Sequence, residues 1–339
     1  MYSFRNDYSE GAHEKILQAL CDTNLVQTVG YGADPVCEKA RDTVRRLCSA
    51  PDADVHFLVG GTQTNLVVID SLLRPYEAVI AAHTGHVNVH ETGAIEATGH
   101  KVCTVFSPDG KLTPALVESV VNAHSSEHMV HPRLVYISDT TELGTIYQRA
   151  ELQALRRCCD EHGLLLFLDG ARLGSALTCP ENDLTLSDLA SLTDAFYIGG
   201  TKNGALFGEA LVMNVPNDHF RWHMKQRGAV LAKGRLLGLQ FQALLEDGLY
   251  FALARHANEM AYRLRDGIAA LGYPFPVPSP SNQQFPVLPN TVMEKLSAMG
   301  YDFEIDHAVD ETHTCVRFVT SWATPESAVE AFIKDLSAI

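Results

Sequence analysis

The sequence has little of what marks several common classes of protein. No run of 18 apolar residues occurs, and a helix that spans a membrane needs about that length. The 41 acidic residues outnumber the 26 basic ones, and the formal net charge of -15 disfavours binding to a nucleic-acid backbone. The opening residues, MYSFRNDY, lack the basic and apolar regions of a secretory signal. We therefore expect a cytoplasmic protein that binds neither membranes nor nucleic acids.

Cysteine forms none of the patterns that indicate a disulfide framework or a zinc site. Eight cysteines are scattered over 339 residues, and the one close pair, Cys158 and Cys159, is adjacent. Such spacing is typical of reduced thiols in a cytosolic protein. The phosphate-binding sequence GxxxxGK[ST] is missing, and residues 30–35 (GYGADP) do not form a dinucleotide fingerprint.

What the sequence does contain is a regular alternation of apolar runs and helical patterns. We predict strands over residues 55–59, 78–81, 102–106, 134–138, 164–168, 195–198 and 211–215. Continuous apolar strands separated by helices indicate a mostly parallel sheet that is covered on both faces. The predicted fold class is therefore α/β, with a mostly parallel seven-stranded sheet, helices on both faces and a smaller C-terminal α+β domain.

A proline-rich stretch predicts a boundary near the C-terminal part of the chain, since residues 274–289 hold six prolines. Before it, residues 87–98 fit one helix, and residues 219–271 have a long helical pattern. We predict an N-terminal segment at the small domain and a dimer interface, then a large domain and a small domain: residues 1–50, 51–271 and 272–339.

Ligands of such sheets bind beyond the carboxyl ends of the strands, so candidate site residues are those that follow predicted strands. Gly60, Gly61 and Thr62 stand between a strand and a helix. Glycines let the backbone approach an anion, and the free amides and dipole of a helix start favour negative charge. A plain turn with a threonine cap has the same sequence pattern, so phosphate binding and a structural cap are alternatives here.

Asp169 and Lys202 each follow an apolar strand, where an unpaired charge is costly. Asp169 could cap the next helix, pair with Arg172 or face a cationic nitrogen of a ligand. Lys202 could simply extend to solvent from the end of its strand. Alternatively, a desolvated lysine has a lowered pKa, and its amine can attack a carbonyl to form a Schiff base.

Three histidines, His83, His86 and His90, have a spacing that could place imidazoles on one helix face around a metal ion. The HExxH motif is absent, and we predict no metal ligands, with an imidazole stacked on an aromatic ligand instead. A phosphate site, a stacking histidine, an aspartate for a pyridinium nitrogen and a nucleophilic lysine are together what pyridoxal 5'-phosphate requires of a protein.

The chain resembles the threonine aldolase and β-eliminating lyase family, whose pyridoxal-phosphate enzymes have fold type I, that of aspartate aminotransferase. The resemblance rests on segments along nearly the whole chain. They are FRND at residues 4–7, GYGADP at 30–35, His86 five residues before ETG at 91–93, DGAR at 169–172, TK at 201–202 and VRFVT at 316–320.

The resemblance implies a role for each matching residue on the cofactor side. Lys202 would bind the cofactor aldehyde covalently, and Asp169 would keep the pyridinium nitrogen protonated. His86 would stack on the ring, and Gly61 and Thr62 would hold the phosphate. The resemblance implies further cofactor contacts from basic residues, some of which would reach the phosphate of a neighbouring subunit: Arg172, Lys225, Arg227 and Lys233.

On the substrate side, the resemblance implies that Arg172 and Arg317 grip the carboxylate with bidentate guanidinium forks. His86 and His128 would be catalytic together with Lys202, and His128 would meet the substrate hydroxyl. Two segments depart from the family pattern: residues 6–9 (NDYS), and residues 140–144 (TTELG), where the family often has asparagine and histidine.

The implied activity is cleavage of β-hydroxy-α-amino acids, such as L-threonine or L-allo-threonine, into glycine and an aldehyde. This retro-aldol rupture of the Cα–Cβ bond would pass through an external aldimine and a quinonoid. A β-elimination lyase or aminotransferase with the same cofactor is the alternative, and a non-catalytic or metal-binding protein is a third. The resemblance also implies a homodimer or homotetramer with shared active sites.

Overall fold

The structure, a computed structural model, describes residues 2–339. The larger of its two sheets is built from seven strands: β1 (Asp54–Leu58), β2 (Glu77–Ala82), β3 (Val102–Val105), β4 (His131–Ser138), β5 (Leu165–Asp169), β6 (Ala195–Gly199) and β7 (Glu209–Met213). Their order across the sheet is β1-β7-β6-β5-β4-β2-β3. β7 alone runs opposite to the other six strands of this sheet, which confirms the predicted mostly parallel arrangement.

The described chain also forms thirteen α-helices. They are α1 (Glu14–Asp22), α2 (Pro35–Leu47), α3 (Gly61–Leu72), α4 (His86–Val89), α5 (Pro114–Ala123), α6 (Arg149–His162), α7 (Leu173–Thr178), α8 (Leu186–Leu192), α9 (Phe220–Gln226), α10 (Arg235–Leu245), α11 (Leu249–Ala270), α12 (Asn290–Ala298) and α13 (Glu326–Ser337). No helix within residues 2–339 combines the length and the hydropathy needed to cross a membrane.

The single helix predicted over residues 87–98 is wrong. The chain forms the four-residue α4, and then a short 3-10 turn at Glu96–Thr98. Thr92 and Gly93 lie between them with φ of 53° and 71°, values that no right-handed helix can contain. Periodicity alone does not reveal such a break, because the apolar spacing continues through it.

The smaller sheet is antiparallel and contains β8 (Gln283–Gln284), β9 (Val287–Pro289), β10 (Glu304–Ala308) and β11 (His313–Val319). β11 lies at its centre and pairs with the other three strands. Phe4 is buried with Leu264, Phe318 and Phe332 in the core on this sheet. A large, mostly parallel sheet and a second, smaller sheet confirm the predicted fold class, whereas the predicted domain boundaries remain a prediction.

The central strands of the large sheet are buried on both faces. On β4, Val135 and Ile137 pack in one apolar core, whereas Leu134 and Tyr136 pack in the other. This alternation follows from the period of two residues in a strand. Since β2, β4, β5 and β6 are parallel, the segments that follow them emerge at one edge of the sheet, where the site lies.

Gly170 allows the segment after β5 to pack directly against β6. A Cβ atom at this position would overlap the backbone oxygen of Tyr197, which cannot move without distorting the strand. We expect Gly170→Ala to lower the free energy of unfolding by about 3 kcal/mol or more, as measured by denaturant titration. Gly11→Ala is the matched control, because its Cβ would meet nothing within 4 Å. Equal destabilisation by both variants would contradict this packing argument.

Candidate active site

A cavity of about 350 Å³ opens at the carboxyl edge of the large sheet. Its size falls within the range of small-molecule sites. The structure brings six of the sequence-predicted residues to its wall: Gly61, Thr62, His86, Asp169, Arg172 and Lys202. An adjoining cavity of about 710 Å³ shares three of these residues and adds Arg317.

Asp169 ends β5 and is held by four donors. Its Oδ2 accepts hydrogen bonds from the Tyr136 hydroxyl at 2.6 Å and from Asn65 Nδ2 at 2.9 Å. Its Oδ1 accepts from the Tyr197 hydroxyl and from the backbone N–H of Ala171 at 3.0 Å. Burial acts to raise the pKa of this carboxyl, but the charge of His86 and these hydrogen bonds outweigh it, and the pKa lies below its usual value. Asp169 is therefore an anion at neutral pH.

His86 begins α4 and is fixed by a carboxylate behind it. Its Nδ1 lies 2.7 Å from Glu91 Oε1, which therefore accepts the ring N–H. The same oxygen accepts a hydrogen bond of 2.7 Å from Asn65 Nδ2, so Asn65 connects Glu91 to Asp169. This chain of contacts fixes the orientation of the imidazole and leaves Nε2 free of the carboxylate.

At the start of α3, the sequence left phosphate binding and a structural cap as alternatives. Gly60 precedes the helix without any side-chain cap, so no side chain occupies the first amides of the helix. A Cβ on Gly61 would lie 3.0 Å from the Tyr197 hydroxyl, and glycine therefore keeps this approach open. Thr62 is exposed at the first turn. The arrangement can receive a phosphate through backbone N–H groups.

Lys202 lies in the turn between β6 and β7. The turn is held by its neighbours: the Thr201 hydroxyl donates to Glu209 Oε1 at 2.9 Å, and the Gly200 N–H donates to Glu209 Oε2 at 3.1 Å. Burial, and then the charge of Arg172, lower the pKa of Lys202. A lowered pKa increases the fraction of neutral amine, which is the nucleophilic form.

The two arginines differ in their partners. Arg172 donates from Nε and from a terminal nitrogen to Asp7, at 2.8 and 3.0 Å, and Asn282 donates to the same carboxylate at 3.0 Å. Arg317 lies on β11, and its buried Nε has no hydrogen-bond partner among residues 2–339. Burial, and then the nearby Arg172, lower the pKa of Arg317. A cationic fork without an anionic partner is a candidate site for a carboxylate.

Four other predicted residues do not line either cavity of this chain. His128 is exposed on the segment before β4, which begins at the opposite edge of the sheet from the cavity. Lys225 and Lys233 are exposed, and Lys225 lies over the Tyr31 ring at 4.9 Å. Arg227 pairs with Asp70 at 3.1 Å. None of the four lines a cavity of its own chain, and the role of His128 at the substrate hydroxyl stays a prediction.

Sequence reasoning missed the residues that support the predicted ones. Tyr136, Tyr197 and Asn65 had no assigned role, although all three contact Asp169. The alternation of side chains along a strand could have found the two tyrosines. Tyr136 lies two residues before the end of β4, and Tyr197 lies two residues before the end of β6. Polar atoms on otherwise apolar strands require partners.

The three histidines considered as metal ligands all line the larger cavity, but within residues 2–339 their nitrogens are not grouped closely enough to bind one ion. His83 Nδ1 accepts the Ser107 N–H at 3.2 Å, and its ring packs on Phe106. His86 is bound to Glu91, as described above. Within residues 2–339, the groups of side chains close enough to bind a metal ion are elsewhere: Glu118, Cys158 and His162, and Asp306, His307 and Cys315.

Residues 4–290 match the family described as beta-eliminating lyase. The chain belongs to the beta-eliminating lyase family. A match of this extent includes both the glycine turn at the start of α3 and the lysine after β6.

Named relatives of this family member are threonine aldolases. A low specificity L-threonine aldolase of a Pseudomonas species is 33% identical over 349 residues, covering 99% of this chain and 97% of that protein. The low specificity L-threonine aldolase of Saccharomyces cerevisiae is 27% identical over 290 residues, covering 83% of this chain and 72% of that protein.

Solved structures agree with these relatives. A threonine aldolase of Leishmania major has a TM-score of 0.97 and 51% sequence identity, over 100% of this chain and 99% of that one. A single mutant of Thermus thermophilus aspartate aminotransferase has a TM-score of 0.74 and 16% identity, over 99% of this chain and 91% of that one. At that identity the aminotransferase shares the fold alone.

Proposed function

We propose that this member of the beta-eliminating lyase family is a pyridoxal-phosphate-dependent aldolase that cleaves L-threonine and related β-hydroxy-α-amino acids into glycine and an aldehyde. The observation that carries this proposal is the meeting, in one cavity, of the anionic Asp169 and of Lys202, whose pKa is lowered. The names of the relatives support the aldolase over the β-elimination and transamination alternatives.

The donor set of the cavity fits pyridoxal phosphate. The uncapped first turn of α3 at Gly61 and Thr62 would hold the phosphate, and Lys202 would bind the aldehyde carbon. Asp169 would accept a hydrogen bond from the pyridinium N–H and so keep that nitrogen protonated, and His86 would cover the ring. When bound, this cofactor supplies an electron sink for the pair that is released at Cα of the amino acid.

The chain's own residues then supply orientation and charge. Asp169 remains ionised through its four donors and so favours a cationic partner at that end of the cavity. Arg317 offers its unpaired guanidinium to the substrate carboxylate, while Arg172 is already held by Asp7 beside it. Fixing the carboxylate restricts rotation at Cα, and this restriction decides which bond to Cα is broken.

We propose a homodimer or homotetramer in the cytoplasm as the working state. Support comes from the N-terminal segment, where Leu25 is 91% exposed and Val26, Val29 and Tyr31 are also exposed. Apolar side chains this close together are typical of a surface that another subunit covers. The exposed Lys225 and Lys233 could then act at a neighbouring subunit's cavity.

The test is product analysis with the purified, cofactor-loaded protein. We expect glycine and acetaldehyde in equal amounts from L-threonine, from L-allo-threonine or from both, measured by chromatography and by coupled reduction of the aldehyde. Serine and cysteine serve as comparison substrates. Release of a keto acid together with ammonia would instead indicate elimination. A keto acid that forms only when an amino acceptor is present would indicate transamination.

A further inference from the structure

Glu142 stands in the segment after β4 that departs from the family pattern, and it lines both cavities. One of its carboxylate oxygens is fixed: Oε1 accepts the backbone N–H of His86 at 2.9 Å and the Ser138 hydroxyl at 2.9 Å. Among residues 2–339, no donor of another residue hydrogen-bonds to its second oxygen, Oε2. The side chain is thus positioned by one oxygen and able to act through the other.

The other carboxylates of the smaller cavity are fully engaged. Both oxygens of Asp169 accept two hydrogen bonds each. Glu209 uses one oxygen for Thr201 and the other for the Gly200 N–H. Of the three carboxylates on this wall, Glu142 alone has an oxygen that can take a proton from a bound molecule without breaking a contact of the protein.

The charges around Glu142 come from several elements of the fold. Asp169 at the end of β5 lies near it, as do the Tyr136 hydroxyl on β4, His86 at the start of α4 and Arg172 after β5. Burial, and then the negative charge of Asp169, raise the pKa of Glu142, while His86 acts in the opposite direction. A carboxyl shifted towards neutrality is suited to accept a proton and return it.

We propose that Glu142 is the catalytic base that accepts the proton of the substrate β-hydroxyl. This inference rests on the proposed function. As the O–H bond breaks, its electron pair forms the aldehyde C=O bond, and the pair of the Cα–Cβ bond passes to Cα. Glu142 then releases this proton to water, and Cα gains a proton that reaches it from water without passing through Glu142. A full turnover therefore returns Glu142 to its carboxylate form without any oxidant or reductant.

The first test compares two reactions in Glu142→Gln. The glutamine keeps an oxygen for the His86 and Ser138 donors but cannot take up the proton. We expect L-threonine cleavage to fall about 10²- to 10⁴-fold, the usual contribution of a general base. Exchange of the glycine α-proton with deuterium, followed by NMR, should stay within about threefold of wild type, because glycine has no β-hydroxyl for a base to act on.

His90 is the rival base, since it is exposed at the same wall and lacks a fixing hydrogen bond in the described chain. A large loss of cleavage in His90→Gln, with Glu142→Gln near wild type, would overturn the proposal. Loss of both reactions in Glu142→Gln would also overturn it and assign Glu142 a role in cofactor binding. Wild type that exchanges glycine protons but releases no glycine from any β-hydroxy amino acid would refute the proposed function itself.

A second test uses the cofactor-free protein and needs no activity. Because the pKa of Glu142 in the folded state lies above its ordinary value, the folded state binds more protons than the unfolded state between these two values. The free energy of unfolding should therefore decrease as pH rises through this window, and Glu142→Gln should remove that decrease. Glu304→Gln is the control, since that carboxylate is exposed and pairs with Arg5. Identical pH dependence of all three proteins would contradict a buried, titrating Glu142.

Discussion

Replacing Lys202 with alanine should abolish the covalent attachment of pyridoxal phosphate and lower aldol cleavage by more than about 10³-fold, the range seen when an enzyme loses its nucleophile. The cavity itself should survive, because the turn is held by Thr201 and Gly200 bonding to Glu209 rather than by the lysine. Borohydride treatment should fix the cofactor covalently to wild type and leave the variant without a covalent adduct, as mass spectrometry of the protein would show.

The control for this result is Lys39→Ala, which removes an exposed lysine that pairs with Glu246 far from the cavity. It should bind cofactor and turn over like wild type. A borohydride-fixed cofactor in Lys202→Ala would mean that another amine forms the bond. Reduced cleavage with intact covalent attachment would likewise contradict the role assigned to Lys202.

The sequence was sufficient for those parts of the fold that depend on local pattern. All seven strands of the large sheet lie where apolar runs were found, because a strand buried on both faces must be apolar throughout. The position of Asp169 and Lys202 at one edge followed from the direction of parallel strands. The same local pattern failed over residues 87–98. The positive φ of Thr92 interrupts the helix there, and hydrophobic spacing carries no information about that φ.

The supporting contacts of the site could not be predicted, because they join residues that are distant in the chain. Asn65 and Asp169 are 104 residues apart, and Asp7 and Arg172 are 165 apart. Which residues of such distant segments come into contact depends on the tertiary fold, and the local sequence pattern does not show it. The Asp7 contact also changes the expected role of Arg172, which is paired within the protein, so Arg317 is left as the unpaired guanidinium.

Asp169→Asn should reduce cleavage about 10²- to 10³-fold while the protein still binds pyridoxal phosphate through Lys202, since removing one preorganised charge usually costs that much. The variant should fold, because asparagine has nearly the same shape as aspartate and its amide oxygen can still accept from the Tyr197 hydroxyl and the Ala171 N–H. The loss should therefore appear in kcat and not in the melting temperature.

A variant with a smaller expected effect can distinguish the contribution of the negative charge of Asp169 from that of its shape. Tyr136→Phe removes one of the two donors to Oδ2 and leaves the carboxylate in place. The pKa of Asp169 should rise, because a hydrogen bond that favours the ionised form is lost, and the rate should fall by about tenfold, as expected for one hydrogen bond to a charged group. If the negative charge on Asp169 sets the rate, Tyr136→Phe must lie between wild type and Asp169→Asn, and its deficit must grow as pH falls towards the raised pKa. A deficit that is equal at every pH would indicate a packing effect of the ring, and the charge argument would then fail.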